Sequence, residues 1–454
     1  MIEFVVISLL VILLLAYYTM GRNLSRPTIL YVSGFFACAV VASLYKVEWG
    51  LSKMSSNTVL ILVGGAFMFY LVELLDFRRH SSNIEDVDIT SDDFASIKPS
   101  RLMLFLISQI FVFALMAKSQ MSYAMTDDLS EAMVTVNDDA KFHQTYVKHP
   151  FYVQHPFYIC MAARTLWCIL LPFYLFKSSR YNWHKILLTL NFVVGVSGTL
   201  LTGGRTNVLY DIISLAICGY ICYQYKVKWR GGLFPKKIML VLVIIVTIFT
   251  STFTSLGTVL GRGESDDPVS IMLSIYCGAE IKNLDDYVQR PFKQGNESGL
   301  PLQYTLCGMH DEIQTRFLGG KIETRLNQPD LRFNSYRNYP LGNVYTTYLN
   351  FILDFGFWGA IIFVGAMAWI CSFLYRKSVA SSFWKTGRVN LWLLFFVFKV
   401  PGACFLSFFA NKFFEDILII GTFRTLIYWW LLILFLQQGA RKSLPDTISK
   451  NKNS

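Results

Sequence analysis

The sequence predicts an all-α, polytopic integral membrane protein, and three observations support this fold class. Of the 454 residues, 54% are hydrophobic and only 16% are charged, whereas about a quarter of a soluble domain is charged. The mean hydropathy is +0.43. Apolar runs of roughly 20 residues, long enough to cross a bilayer, recur along the whole chain. These runs are continuous, which argues against the alternating strands of a β-barrel.

About eleven membrane-spanning helices, within a range of 10–12, are predicted, and no internal repeat is visible. Their approximate limits are 2–19, 27–45, 57–77, 101–119, 157–176, 185–203, 205–225, 238–260, 343–374, 389–409 and 416–437. The first run lacks the basic leader and the small-residue cleavage site of a signal peptide. It therefore predicts a helix that is retained in the protein.

Basic residues predict the orientation of these helices. More than half of the 41 Lys and Arg residues lie in short segments that share one side of the predicted membrane. Examples from successive segments are Arg22 and Arg26, Arg78 and Arg79, Lys177 and Arg180, Lys226 and Lys228, and Arg376 and Lys377. The positive-inside rule assigns this side to the cytoplasm, which leaves the N-terminus outside and the C-terminus inside.

The predicted spans divide the chain into four parts. Residues 1–260 contain the first eight spans, 261–342 form one large outer loop, 343–437 contain the last three spans, and 438–454 form a cytoplasmic tail. The net charge of +11 is explained by the basic cytoplasmic segments, so nucleic acid is not an expected partner. The nine cysteines are expected to be free, mostly as small apolar side chains, and no metal site or cofactor is predicted.

The stretch LLTGGRTNVL, residues 200–209, places two glycines and a fixed charge between two apolar runs. Glycines permit a tight turn, so this stretch predicts a short outer-face connection between two spans. Arg205 then lies at the first position of a helix, where backbone N–H groups and the helix dipole favour a bound anion.

Three further cations lie inside predicted spans, where charges are costly and usually functional. Arg164, Lys399 and Arg424 fall, like Arg205, in the outer half of the membrane. Pro401 is expected to break the helix close to Lys399. Four cations in one layer, with few acids beside them, predict a shared pyrophosphate-binding site, because guanidinium groups match phosphate oxygens. The alternative for each cation is snorkelling or a buried ion pair.

A polar stripe opens the span after the large loop. Asn343, Thr347, Asn350 and Asp354 follow one another at spacings of 4, 3 and 4, which predicts one face of a helix. Such a face must point into the bundle or into a wet cavity. The alternative is a ladder of hydrogen bonds between helices.

The outer loop combines acids, guanidinium groups and aromatic rings, a mixture typical of sugar sites. Candidate proton acceptors are Asp285, His310 and Asp354, although His310 also fits an ordinary surface histidine. The residues predicted to contact glycan are Tyr276, Tyr287, Arg337, Asn343, Tyr345 and Asn350.

Three stretches resemble the bacterial O-antigen and capsular oligosaccharide repeat-unit polymerases, the Wzy type. They are TLLTGGRTNVLYDII, IYCGAEIKNLDDYVQRP and GNVYTTYLNFILDFGFWGAI, in this order around the large loop. The resemblance implies the fold of lipid-dependent glycosyltransferases and O-antigen ligases. Arg205 and Asp354 match its motifs, whereas His310 lies in the corresponding loop but in no matched motif.

The resemblance also implies an activity at the periplasmic face of the bacterial inner membrane. Such enzymes transfer a growing glycan from undecaprenyl pyrophosphate to a hydroxyl of the next lipid-linked unit. Implied partners are this lipid-linked oligosaccharide, membrane lipids, a chain-length regulator and a flippase. Preorganised guanidinium groups would stabilise the leaving diphosphate without a metal. The alternatives are an O-antigen ligase and a flippase for the same lipid-linked unit.

Overall fold

The structure is a computed structural model that describes residues 1–80, 88–90, 94, 96–141, 149–202, 205–230, 274–294, 299–317, 329–337 and 339–437. Most of these residues are helical. The helices are α1 (Ile2–Thr19), α2 (Pro27–Leu44), α3 (Ser56–His80), α4 (Pro99–Ala124), α5 (Leu129–Lys141), α6 (Phe151–Leu175), α7 (Asn182–Leu200), α8 (Arg205–Lys226), α9 (Ala279–Gln289), α10 (Cys307–Phe317), α11 (Tyr348–Val379), α12 (Phe383–Thr386), α13 (Leu391–Phe405) and α14 (Ile420–Gln437).

Short elements complete the described part of the chain. Three 3-10 turns cover Leu51–Lys53, Ser179–Tyr181 and Leu406–Phe408. Strands β1 (Asn334–Tyr336) and β2 (Tyr339–Gly342) form an antiparallel hairpin. This hairpin is a small addition to the all-α prediction, and it lies within the predicted outer loop.

Among the described residues, nine helices are long and apolar enough to cross a membrane. They are α1 to α4, α6, α8 from Thr206, α11, α13 and α14. A polytopic membrane protein is therefore confirmed. The predicted span 185–203 forms α7, which carries His184, Lys185 and Asn191 and is not among the nine. The predicted span 238–260 lies outside the described residues.

The predicted basic segments meet at one end of the bundle, which we call the basic end. Nη1 of Arg376, in the last turns of α11, lies 2.7 Å from Oδ1 of Asp76 near the end of α3. Nη1 of Arg101, at the start of α4, donates to the carbonyl of Phe435 at the end of α14 over 2.6 Å. We call the other end, where α3, α6, α8, α11 and α14 begin, the opposite end.

The polar face predicted for residues 343–354 is wrong at its first position. Helix α11 begins at Tyr348 and Thr347 is its N-cap, so Asn343 precedes the helix. The backbone N–H of Thr347 donates instead to the carbonyl of Ser407 over 2.9 Å. Gly356 then interrupts the helix with φ 68° and ψ −177°, a conformation that side chains disfavour and glycine permits.

The expected break at Pro401 is also wrong, because α13 continues through it to Phe405. A helical proline lacks the N–H that would bond the carbonyl four residues earlier, which here belongs to Val397. The hydroxyl of Ser214 in α8 donates to this carbonyl over 2.8 Å. Helix α13 therefore stays intact because a neighbouring side chain satisfies the freed acceptor.

Candidate functional site

A cavity of about 300 Å³ lies between α6, α8, α13 and the connecting segment 409–419 that leads into α14. It is near the opposite end, because Thr206 and Asn207 in its wall belong to the first turn of α8. Its lining is Arg164, Thr165, Cys168, Thr206, Asn207, Tyr210, Asp211, Ser214, Val397, Phe398, Lys399, Lys412 and Asp416. Two of the four predicted pyrophosphate ligands, Arg164 and Lys399, thus share one cavity.

Close contact between α8 and α13 forms one wall. A side chain at Gly402 would place its Cβ 2.0 Å from Cδ1 of Tyr210, so glycine is required for the Tyr210 ring to lie against α13. Small residues allow this approach between membrane helices. The Ser214 hydroxyl bond to Val397 joins the same two helices deeper in the cavity.

Arg164 reaches the cavity from α6. Its Nη1 donates to Oδ2 of Asp211 over 2.9 Å, and its Nε donates to the carbonyl of Met161 over 3.2 Å. A guanidinium has five N–H donors, so these two contacts leave other donors for a ligand. Asp211 is buried and holds the guanidinium in place from α8.

Lys399 is a buried cation that faces the cavity from α13. Its residue is only 4% exposed, and its Nζ lies 3.7 Å from Oδ2 of Asp416. That separation is too long for a hydrogen bond, and no described residue supplies a closer acceptor. A buried ammonium with unfilled donors is costly unless a ligand or water completes its shell.

Lys412 adds a third cation from the connecting segment. Its Nζ donates to Oε2 of Glu415 over 2.8 Å. Burial alone would lower the pKa of the Lys412 ammonium, but Glu415 and Asp416 together hold that pKa above its ordinary value. Lys412 is therefore charged at neutral pH.

The lining contains three cations and two acids, so the expectation of few acids beside the cations is wrong. Arg164 has Asp211 as a close partner, and Lys399 has Asp416 at longer range. Lys412 also has Glu415 as a close partner, so three acids match the three cations in number. The cavity nevertheless retains N–H donors of these cations that the pairs leave unused, next to the first turn of α8. It can hold a compact anion, and its half-exposed Asp416 carboxylate can accept a proton.

The structure does not place the two remaining predicted pyrophosphate ligands, Arg205 and Arg424, in the cavity. Arg205 is the first residue of α8, but its side chain lies outside the described part of the structure. Arg424 does not line the cavity. Its guanidinium carbon lies 3.5 Å from the ring centroid of Tyr158 on α6, at a separate place described below.

Asp285, a predicted proton acceptor, is occupied elsewhere. It is 1% exposed. Its Oδ1 accepts from the backbone N–H of Ser55 over 2.9 Å and from the hydroxyl of Thr58 over 2.7 Å, and its Oδ2 accepts from Gln289. These contacts fasten α9 to the beginning of α3.

Asp354 and Asn350 hold the segment that precedes α10. The Asp354 carboxylate accepts from the backbone N–H groups of Tyr304 and Thr305 over 3.1 and 2.5 Å. Asn350 donates to the carbonyl of Tyr304 over 2.7 Å. Asn411 donates to the carbonyl of Thr305 over 3.1 Å. The sequence left open a ladder of hydrogen bonds between helices as the alternative for the polar stripe. The observed bonds run instead to the non-helical segment that precedes α10.

The histidine predicted as a base, His310, lies on α10. Its Nε2 is 2.8 Å from the carbonyl oxygen of Pro301, and it does not line the cavity. This contact indicates that His310 holds the loop that leads into α10.

The predicted glycan contacts do not form one exposed platform. Tyr287 and Tyr345 are buried in a small apolar cluster with Leu349. Tyr276 stacks on Phe409 with 6.3 Å between ring centroids. Arg337 is exposed, and its guanidinium lies over the Tyr336 ring at 5.3 Å. Their roles in glycan binding stay predictions.

The sequence reasoning missed Lys412 and Asp416. Both lie in the stretch ANKFFEDI, residues 410–417, where Lys412, Glu415 and Asp416 recur at spacings of three and four. Their one signal in the sequence was weak, a short polar cluster between the end of the predicted span 389–409 and the start of the predicted span 416–437.

No protein-family model, curated protein or solved structure matches this chain. Fold and site together define a polytopic membrane protein with a cation-rich cavity near the opposite end of its helix bundle.

Proposed function

We propose that this protein is a membrane-embedded glycosyltransferase that polymerises undecaprenyl-pyrophosphate-linked oligosaccharide repeat units. The cavity would hold the diphosphate of the donor lipid, and the opposite end of the bundle would face the periplasm from a bacterial inner membrane. A flippase that delivers the lipid-linked unit and a regulator of chain length are the partners that this activity would need.

The position of the Lys399 ammonium is the observation that carries the proposal. This ammonium is buried within an apolar helix long enough to span a membrane, borders a cavity, and has Asp416, at 3.7 Å, as its one acidic partner among the described residues. A charge in such a place marks a functional site by default. A diphosphate would fill the unused donors of Lys399 and Arg164 at once, and guanidinium and ammonium groups both bind phosphate oxygens well.

The size of the cavity fits part of a lipid-linked donor. Ligand sites usually enclose about 300–1,000 Å³, and this cavity of about 300 Å³ lies at the lower limit. It would take the diphosphate and the sugar attached to it. The polyprenyl chain would stay in the bilayer and the remaining sugars would lie beyond the opposite end.

The proposed step needs no group beyond the chain and its two substrates. An acceptor hydroxyl oxygen bonds to the anomeric carbon of the donor sugar while the bond from that carbon to the diphosphate oxygen breaks. The diphosphate departs with the bonding electron pair, and Arg164, Lys399 and Lys412 stabilise its charge. The hydroxyl proton passes to a carboxylate, for which Asp416, 54% exposed at the cavity, is placed best.

The test is reconstitution of purified protein with lipid-linked repeat units extracted from a source strain that lacks this gene. Lys399→Met removes the ammonium and keeps the length of the side chain. We expect it to slow chain growth about 100-fold or more, as loss of one preorganised transition-state donor does elsewhere. Lys46→Met is the matched control, because Lys46 lies near the same end in an exposed pair with Glu3 and outside the cavity.

The products separate the proposal from its alternatives. Glycan ladders that grow with wild type and Lys46→Met, but not with Lys399→Met, support the polymerase. Transfer of a single unit to lipid A-core indicates a ligase, and movement of the lipid-linked unit across vesicles without lengthening indicates a flippase. Normal ladders from Lys399→Met would exclude the cavity from the reaction.

A further inference from the structure

A second basic site lies outside the cavity, where α6 and α14 pack together near the opposite end. We call it the seam site and define it by His155, Tyr158, Arg424 and Tyr428. Trp429 fastens the two helices here, because its Nε1 donates to the carbonyl of Ala162 over 3.0 Å. Arg424 has no acidic group within 4 Å among the described residues, unlike Arg164.

Several donors of the seam site are free of protein acceptors. The carbon of the Arg424 guanidinium lies over the Tyr158 ring, 3.5 Å from the centroid. Stacking occupies the face of a guanidinium and leaves its N–H edges for hydrogen bonds. Gln154 donates its amide N–H to the Tyr158 hydroxyl over 3.0 Å, so the proton of that hydroxyl can be donated onward.

Histidine supplies a further polar group. Nδ1 of His155 lies 2.6 Å from the hydroxyl of Tyr428, which fixes the ring and leaves its Nε2 without a described partner. The seam site thus combines one fixed positive charge with a hydroxyl donor and an imidazole. This combination suits a phosphate group.

The surroundings of Arg424 are apolar and exposed. Phe423, Ile427, Trp430 and Leu434 are each 48–57% exposed, and spacings of three and four place them on one face of α14. In a membrane this face contacts lipid chains. Arg424 is the fifth residue of α14, about 6 Å from its first residue at 1.5 Å per residue, and lies near the depth of lipid headgroups.

We propose that the seam site binds the phosphate of an anionic membrane lipid, whose acyl chains lie along the exposed face of α14. Charge complementarity supports this occupant, since Arg424 has no counterion in the described part of the protein. The apolar face favours a lipid over a soluble phosphate, which would leave that face unmatched. The site does not line the cavity and does not depend on the activity proposed above.

The experiment uses the full chain in phosphatidylcholine nanodiscs that contain a minor fraction of phosphatidylglycerol. After gentle detergent release, native mass spectrometry counts the phosphatidylglycerol molecules that each protein retains. Arg424→Leu should weaken retention of one molecule about tenfold, because a hydrogen bond to a charged group contributes about 1.5 kcal/mol or more and about 1.4 kcal/mol corresponds to a factor of ten.

Two further variants sharpen the result. Tyr158→Phe keeps the stacked ring and removes only the hydroxyl, so we expect a smaller loss of retention in a fully folded protein. Lys118→Leu is the matched control, because Lys118 is an exposed cation near the opposite end of α4 that has no described tyrosine or histidine partner. It should retain lipid as wild type does.

Three outcomes would overturn the proposal. Equal retention by wild type and by a folded Arg424→Leu would exclude Arg424 from lipid binding. An equal loss of lipid retention in Lys118→Leu would show that retention depends on the net charge of the protein and not on the seam site. Displacement of the retained lipid by inorganic phosphate would show a site for soluble anions.

Discussion

Arg164 and Asp211 form an ion pair that joins α6 to α8 across the wall of the cavity, with 2.9 Å between Nη1 and Oδ2. The two side chains are only 14% and 12% exposed. Removing one partner of a buried pair leaves an uncompensated charge, which costs about 3–5 kcal/mol in full burial. The adjoining cavity admits water and reduces this cost.

We therefore expect Asp211→Asn to lower the free energy of unfolding by about 2 kcal/mol. Inorganic pyrophosphate should raise the melting temperature of this variant more than that of wild type, because Arg164 has lost its counterion. Asp330→Asn is the control. Its partner Arg332 is exposed, so that change should cost about 0.5 kcal/mol or less. A wild-type melting temperature for Asp211→Asn would contradict the assignment.

The hydroxyl of Ser214 compensates for Pro401 in α13, and a double-mutant cycle can measure this. Ser214→Ala leaves the Val397 carbonyl without its donor and should cost about 1 kcal/mol. Pro401→Ala restores a backbone N–H for the same carbonyl. The double variant should therefore be more stable than Ser214→Ala alone.

Unfolding in mixed micelles monitors the cycle. Ser372→Ala is the control, since the buried Ser372 hydroxyl donates to the Ala368 carbonyl in its own helix, where no proline removes the backbone donor. Strictly additive changes at positions 214 and 401 would show that the hydroxyl does not replace the missing N–H.

Much of the fold could be predicted because bilayer thickness sets the length of each apolar run. Arg164 and Lys399 could be singled out since charges in such runs are rare. Lys412 could not be singled out in this way, because a charged residue between two spans is ordinary. The first residue of α11 could not be predicted from the sequence either. It depends on a tertiary contact, in which the backbone N–H of Thr347 donates to the carbonyl of Ser407 just before the helix begins.

The predicted acids show a further limit of the sequence. Asp285 and Asp354 occur among aromatic and basic residues, as acids in sugar sites do. Only the fold shows that Asp285 accepts from the start of α3 and that Asp354 accepts from the 304–305 backbone. Composition does not distinguish a carboxylate that binds backbone N–H groups from one that binds substrate.

Asp354 can be tested for both roles with two substitutions. Asp354→Asn keeps one oxygen acceptor for the N–H groups of Tyr304 and Thr305, so we expect it to retain most of the glycan-polymerising activity. Asp354→Ala removes both bonds and should release the segment that precedes α10. Hydrogen exchange across residues 299–317 should then rise in the alanine variant and change little in the asparagine variant.

The result also bears on the resemblance-based assignment of Asp354 as a catalytic group. Complete loss of activity in a folded Asp354→Asn, with hydrogen exchange unchanged, would assign the carboxylate to the reaction. Asn350→Ala is the companion variant, because it loses the bond to the Tyr304 carbonyl without changing charge. It should raise exchange in the same segment.

Glu280 on α9 should make stability depend on pH. It is fully buried, and Oε2 contacts only the Cys38 thiol at 3.7 Å among its described side-chain partners. Burial raises the pKa of the Glu280 carboxyl from 4.5 to about 8. Between these values the folded chain binds more protons than the unfolded chain, so stability falls as pH rises.

Glu280→Gln mimics the protonated side chain and should remove this dependence. Its melting temperature should be close to that of wild type near pH 5 and higher than that of wild type above pH 8. The rise in pKa from 4.5 to about 8 corresponds to a gain of about 5 kcal/mol in the free energy of unfolding at high pH, since one pKa unit corresponds to about 1.4 kcal/mol. Glu48→Gln, at an exposed glutamate, should leave the wild-type pH profile unchanged. Parallel profiles for wild type and Glu280→Gln would mean that the carboxyl titrates near its ordinary pKa, and that water reaches it in the folded protein.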